Sequence, residues 1–234
     1  MKVEIWSDIA CPWCYIGRAR FAKALAQFPH RDQVEVLWRS YELDPRAPRE
    51  ATQSIGEVLA RKYGISREEA EAMTAQTAQV GAQEGLEMRF DRVQPVRTFD
   101  AHRLLHLAAK HGAQDALSER LHRAHFTDGL NVADHDVLTR LAAEVGLDAD
   151  AARQMLGSEA HTGDVRADIQ RGLAFGCQGV PYFVFDEKYA VSGAQRPDVF
   201  LSAMQRAWVD AHPLVQISGE DAESGVCDDT GCAV

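Results

Sequence analysis

Cys11 and Cys14 flank Pro12-Trp13, and the pair follows directly on the apolar run Val3 to Trp6. Two thiols at this spacing can cycle between a dithiol and a disulfide. The apolar run reads as a strand that delivers Cys11 to the start of a helix. There, unpaired backbone N–H groups and the positive end of the helix dipole favour a thiolate. Pro12 suits the first helical turn, because its φ is preset and it lacks only an N–H that the helix would not use. On this reading Cys11 is the nucleophile and Cys14, one turn further in, resolves the mixed disulfide. A CxxC is also half of a four-ligand zinc site, and five cysteines would be enough for four sulfur ligands. Zinc knuckles usually sit in Gly-rich loops, whereas Tyr15, Ile16, Phe21, Leu25 and Phe28 recur here at helical spacing at once. That context favours redox chemistry.

A second pair, Cys227 and Cys232, encloses Asp228-Asp229-Thr230-Gly231 in an acidic stretch with little periodicity. The enclosed residues are turn formers that can bring the sulfurs together. The expectation is an auxiliary dithiol. Asp228 and Asp229 should raise its thiol pKa values, so electrons would pass from this pair to an oxidised Cys11/Cys14. Competing readings are incidental thiols in a disordered tail, or a metal-scavenging tail. Cys177 reads as a buried free thiol near Pro181. His102 and His106 fall one turn apart, but no third ligand shares their spacing, so a structural or groove-lining role is expected rather than a metal site. Met73, Met88, Phe90 and Phe99 read most simply as core, with an apolar groove for unfolded peptide as the sharper alternative.

The elements that must position these groups follow from periodicity. Residues 2 to 7 form a strand, 12 to 28 a helix and Val34 to Tyr41 a second strand. Leu43 to Arg49, with Pro45 and Pro48, is a linker. From Ser54 to Phe175 the pattern is helical nearly throughout and is punctuated by glycines; Ser66 to Glu69 reads as a capping box. Strand character returns at Val180 to Phe185, pairs across Asp186-Glu187-Lys188 with Tyr189 to Ser192, and gives way to a last helix from Pro197 to Ala211.

Composition bounds the partners. The 234 residues are 46% hydrophobic, enough for one large domain or two small ones. Net charge is −10, with 35 acidic against 25 basic residues and no basic stripe, which disfavours nucleic acid. No run approaches the length of a membrane span and the first strand begins at Lys2, so no membrane association and a cytoplasmic location are expected. In that compartment structural disulfides are rare, and paired cysteines point to catalysis, sensing or metal.

The chain resembles the DsbA-like thioredoxin superfamily and, within it, the FrnE-like cytoplasmic dithiol oxidoreductases. Three stretches carry the resemblance: Trp6-Ser7-Asp8-Ile9-Ala10-Cys11-Pro12-Trp13-Cys14-Tyr15-Ile16-Gly17, Thr98-Phe99-Asp100-Ala101-His102-Arg103-Leu104-Leu105-His106 and Gly179-Val180-Pro181-Tyr182-Phe183-Val184. It implies an α/β thioredoxin fold with a large inserted all-helical domain: residues 1–45 and 176–211 as the thioredoxin-like part, 46–175 as the insertion and 212–234 as a flexible tail. It also implies a cis Val180-Pro181 bond facing the CxxC, with Pro12, Trp13, Val180 and Pro181 positioning the substrate. Cysteine-bearing tails recur in the FrnE-like group.

DsbA itself has His where this chain has Trp13, and an indole cannot help to stabilise a thiolate, so a weaker oxidant than DsbA is expected. Arg97 stands where relatives often show Asn. The implied activity is thiol-disulfide exchange on protein or peptide substrates, in a monomer or dimer. No cofactor is required, and glutathione is a candidate redox partner. The alternative is a glutathione-dependent enzyme like 2-hydroxychromene-2-carboxylate isomerase or the kappa-class transferases, which generally carry Ser in place of the first Cys.

Overall fold

The computed structural model describes residues 1–214. Its strands are β1 (Lys2–Ser7), β2 (Glu35–Ser40), β3 (Tyr182–Phe185) and β4 (Tyr189–Ser192), in the order β2-β1-β3-β4. β1 runs parallel to β2, with Ile5 opposite Trp38, and β3 is antiparallel to both β1 and β4. Helix α1 (Pro12–Gln27) makes the crossover from β1 to β2, and α9 (Pro197–Ala211) closes the described chain. Between β2 and β3 lie α2 (Ile55–Tyr63), α3 (Arg67–Gln83), α4 (Phe99–Lys110), α5 (Gln114–Arg123), α6 (His135–Glu144), α7 (Ala149–Leu156) and α8 (Thr162–Ala174).

The period-two alternation of β1 sorts its side chains to two faces of the sheet. Val3 and Ile5 join Phe21 of α1, Phe183 and Phe185 of β3, and Phe200 and Met204 of α9 in one buried cluster. Phe183 and Phe200 are in ring contact at 4.5 Å. Each such side chain contributes about 1.5–3 kcal/mol through burial. Glu4 and Trp6 face the other way, onto α8: the Trp6 indole N–H donates to the Asp168 carbonyl at 2.7 Å, and Arg171 donates to Glu4 at 2.8 Å. The sheet is therefore sandwiched between α1 and α9 on one side and α8 on the other. A second core, of Leu104, Leu117, Leu121, Leu138 and Leu141, lies among α4 to α7, and Ile9 from the β1–α1 loop inserts into it.

The fold is the thioredoxin-type α/β arrangement expected from the sequence, and most boundaries differ by one or two residues. β2 ends at Ser40 rather than Tyr41, and β3 begins at Tyr182, after the cis Val180-Pro181 peptide. The capping box at Ser66 and Glu69 is present, and Ser54 with Glu57 forms another. The expected helical run from Ser54 to Phe175 is corrected in one place. Residues 86–98 form no helix. Gly85 (φ 85°) turns the chain out of α3, and Pro95 cannot sustain a helical ladder. Residues 215–234, with Cys227 and Cys232, lie outside the described residues.

Gly172 of α8 leaves room for Trp6: a Cβ there would meet the indole Nε1 at 2.6 Å. A helical Gly→Ala change ordinarily gains up to about 1 kcal/mol. At this site the clash with a fully buried, hydrogen-bonded indole should win. Gly172→Ala is expected to lower the unfolding free energy by about 1–3 kcal/mol, read from urea denaturation; a stabilised variant would contradict this packing.

Candidate active site

β1 ends at Ser7, and residues 8–11 turn the chain into α1. Cys11 is the N-cap residue, with extended φ/ψ of −95°/112°, and Pro12 opens the first turn, which carries no acidic side chain. The Asp8 carbonyl accepts from the Cys11 amide at 3.0 Å, and the Cys11 carbonyl from the Cys14 amide at 3.0 Å. Cys11, Cys14 and Cys177 are all free thiols. Cys11 and Cys14 are both buried, and Cys11 lines a cavity. Burial, reinforced by the adjoining Cys11, pushes the Cys14 thiol well up from its ordinary range. Trp13, between them, is 43% exposed and stands at the cavity mouth.

The Val180-Pro181 bond is cis, as the resemblance implied. The Cys11 thiol donates to the Val180 carbonyl at 3.5 Å, so the loop lies directly against the Cys11 sulfur. Two features hold the loop there. The Gly193 amide donates to the Pro181 carbonyl at 2.8 Å. Gly17, on α1, lets the helix approach, since a Cβ would meet Pro181 Cγ at 3.0 Å. Cys177 is buried behind this loop; its thiol donates to the Gly179 carbonyl at 3.4 Å, and burial raises its pKa.

Asp8 is the residue that sequence reasoning missed. It stands within the first motif, but apart from the Ala10 amide its partners are distant in sequence, 35 positions away at Leu43 and 90 at Thr98, and no local pattern reveals them. Its side chain is fully buried. One carboxylate oxygen accepts from the Ala10 amide at 3.2 Å and the Thr98 hydroxyl at 2.7 Å, with His102 Nε2 at 3.4 Å. The other accepts from the Leu43 amide at 2.7 Å. Burial opposes the charge, but these partners outweigh it and hold the carboxyl below its usual range. His102 therefore serves Asp8, and His106 serves Ser40 and Asp168. Among the described residues there is no group of three or more His, Cys, Asp or Glu that could hold a metal.

A cavity of about 340 Å³ opens beside Cys11, walled by α2, α3, the 86–98 segment and a π-helical turn, Ala124–Asp128, that follows α5. Met73 and Phe90 line it, so the groove reading suits them. Met88 packs instead in the core with Tyr15 and Phe126, and Phe99 lies under the Arg97 guanidinium at 5.8 Å, away from the cavity. Arg97 gives its amide to the Pro48 carbonyl, and its Nε is buried without a partner.

His125 and Phe126, both buried, also line the cavity. His122, one turn earlier, donates Nδ1–H to the Ser118 carbonyl and stacks on Tyr15. Burial lowers the pKa of both His122 and His125 from 6.5 to about 4. The unfolded chain therefore takes up protons between pH 6.5 and pH 4 that the folded chain refuses, and stability must fall as pH drops through that window. Two such groups predict an unfolding free energy roughly 4 kcal/mol lower at pH 5 than at pH 7.5, measured by urea titration. A flat profile over that range would show that the two rings are not held neutral.

The sequence matches the DSBA-like thioredoxin domain family over residues 2–205. It is 46% identical to a "probable DsbA oxidoreductase" from Streptomyces coelicolor, whose crystal structure superposes with a TM-score of 0.87 over 100% of this chain and 99% of that one. An uncharacterized protein of Bacillus subtilis, YwbO, is 27% identical over 207 residues, 87% of this chain and 96% of that protein. The cytosolic disulfide reductase DsbM from Pseudomonas aeruginosa, at 18% identity and a TM-score of 0.62 over 89% of this chain and 99% of that one, shares the fold. With family, fold and a facing CxxC and cis-proline loop in one chain, the protein belongs to the DSBA-like thioredoxin domain family and is a redox enzyme of that family.

Proposed function

We propose that the chain is a FrnE-like protein dithiol-disulfide oxidoreductase of the cytoplasm, with Cys11 and Cys14 as its redox pair. The observation that carries this reading is the Cys11 sulfur at a helix N-cap, 3.5 Å from the carbonyl of the cis Val180-Pro181 loop. A helix start favours an anionic sulfur, and a loop carbonyl at that distance marks where a substrate backbone would lie against it.

In the reducing direction, Cys11 thiolate attacks one sulfur of a substrate disulfide R–S–S–R′. A Cys11–S–S–R bond forms and R′S⁻ leaves. Cys14, deprotonated, then attacks the Cys11 sulfur; the Cys11–Cys14 disulfide forms and RS⁻ leaves. Two electrons pass from the enzyme dithiol to the substrate disulfide, and the two enzyme thiol protons end on the released thiols. The oxidising direction is the same sequence reversed. A second dithiol, or a low-molecular-weight thiol such as glutathione, closes the cycle by taking part in the same exchange. The state of Cys14 supports the order of events. Cys14 is held protonated by burial and by the neighbouring Cys11, and the Cys11 contribution ends once that sulfur is tied up in a mixed disulfide.

Cys14→Ser is expected to accumulate a mixed disulfide on Cys11 when the reduced protein meets a disulfide-bonded substrate, visible as a mass adduct mapped to that residue. Cys11→Ser is expected to form no adduct and to lose exchange by about two orders of magnitude or more. Adduct on Cys177, or full activity of Cys11→Ser, would sink the assignment.

A further inference from the structure

β1 sends alternate side chains to opposite faces of the sheet, so Ser7, its last residue, falls on the face of Val3 and Ile5, which pack against α1. On α1, the buried residues Cys14, Phe21 and Ala24 recur at the spacing of one helical stripe, and Phe21 and Ala24 pack on Val3 and Ile5. The helix begins just past Ser7 and runs back along the strand. Phe21 therefore meets the apolar part of β1, and Cys14, two turns earlier, lies at the Ser7 end.

A hydroxyl is out of place in that row. Ser7 is 6% exposed, and among the described residues its buried Oγ has no hydrogen-bond partner while Cys14 is a free thiol. An unpaired hydroxyl in such a place weakens the fold and calls for a reason. The reason lies beside it. Burial and Cys11 push the Cys14 thiol up, whereas the Ser7 hydroxyl and the backbone N–H of Asp8 bear on that sulfur as donors and favour its thiolate. A neutral thiol is a weak acceptor and leaves the hydroxyl unsatisfied; a thiolate is a strong one. The bond is made in full only when charge appears on Cys14.

We infer that the Ser7 hydroxyl, together with the Asp8 N–H, is the donor pair that holds the Cys14 thiolate in the second half of thiol-disulfide exchange. The inference rests on the exchange function proposed above and assigns a further residue to the same site. In the reducing direction the Cys14 proton ends on the thiol released by the first step. The Cys14 thiolate attacks the Cys11 sulfur of the Cys11–S–S–R intermediate, the Cys11–Cys14 disulfide forms, and the electron pair of the broken bond leaves with RS⁻. In the oxidising direction a substrate thiolate attacks Cys11, the Cys11–Cys14 bond breaks, and its electron pair arrives on the Cys14 sulfur, where the two donors receive it. Donors fixed in place before the charge arrives need no reorganisation when it does. Cys11 has its own support at the helix N-cap, so the first attack draws nothing from Ser7.

Ser7→Ala separates this role from a structural one. It removes an unsatisfied polar atom, so the fold should not weaken, yet the resolving step loses a donor. The test uses the full-length chain with Cys227→Ser and Cys232→Ser, so that no thiol of that pair competes, and adds a symmetrical disulfide of an end-capped cysteine peptide to the reduced protein. Samples are quenched with acid, and the peptide adduct on Cys11 is followed by mass mapping: its rise reads the first attack and its decay reads resolution.

In Ser7→Ala the rise is expected to keep its rate and the decay to slow about three- to tenfold. That is roughly the effect of one hydrogen bond to a charged sulfur, less the part returned because a more basic thiolate is the better nucleophile. Its urea midpoint is expected to be unchanged or higher, and Ser7→Thr, which keeps the hydroxyl, is expected to restore the decay. Decay at the parent rate in Ser7→Ala, equal slowing of rise and decay, or a Ser7→Ala protein that is less stable or fails to fold overturns the assignment while leaving the exchange function standing. No adduct on Cys11 at any time, in these proteins or in Cys14→Ser, overturns the exchange function and this inference together.

Discussion

A carboxylate buried away from water must have its lone pairs met by protein donors, and Asp8 meets that demand by drawing three separate segments to one point. Its oxygens collect the Ala10 amide of the CxxC turn, the Leu43 amide after β2 and the Thr98 hydroxyl just before α4, with the His102 ring of α4 3.4 Å away. Its carbonyl takes the Cys11 amide. Losing one partner of a buried charge of this kind costs about 3–5 kcal/mol, so the arrangement is strongly specified. The position of Cys11 is thereby tied to the helices that wall the cavity, and Ile9, two residues before it, plugs the core of those helices.

A parallel constraint operates on the far face of the sheet. Glu4 is buried and paired with Arg39 and Arg171, while Asp168 receives Arg39, the Ser40 amide and His106. These groups fasten α8 across β1 and β2, and Trp6 fills the space that Gly172 leaves. α8 leads directly into the Cys177–Pro181 segment, so the same clamp sets where the cis-proline loop begins its approach to Cys11. The Cys11 turn and the segment leading to the loop that faces it are each anchored through buried carboxyl groups, Asp8 for one and Glu4 with Asp168 for the other.

What the sequence made legible was what local chemistry dictates. Cys11-Pro12-Trp13-Cys14 after a strand declared a helix-start thiol, and Ser66 with Glu69 declared a helix start, whereas the facing of Val180-Pro181 came only from the family resemblance. What it hid depends on distant partners. Asp8 looks like any loop aspartate until Thr98, His102 and Leu43 are brought to it. Met88 and Phe90 are two residues apart and alike in character, yet one fills the core and the other lines the cavity, because the chain leaves α3 without regular structure and turns at residues 90–92. The π turn that carries His125 has no signature in hydrophobic spacing, since the flanking residues keep a helical rhythm. The surroundings of the two histidines were hidden as well: His106 Nε2 lies at Ser40 and Asp168, and His102 Nε2 is 3.4 Å from Asp8.

The most direct measurement is a redox titration of the reduced protein across buffers of defined thiol-disulfide potential, quenched by alkylation and read by peptide mass mapping of Cys11, Cys14 and Cys177. The expected result is one two-electron transition in which Cys11 and Cys14 are lost together as a single disulfide while Cys177 stays a thiol. With Trp13 in the place of a histidine, the midpoint should lie between about −270 mV, that of thioredoxin, and about −120 mV, that of DsbA. A disulfide that included Cys177, or a Cys11/Cys14 pair that remained reduced throughout this range, would contradict the assignment of this pair as the redox centre.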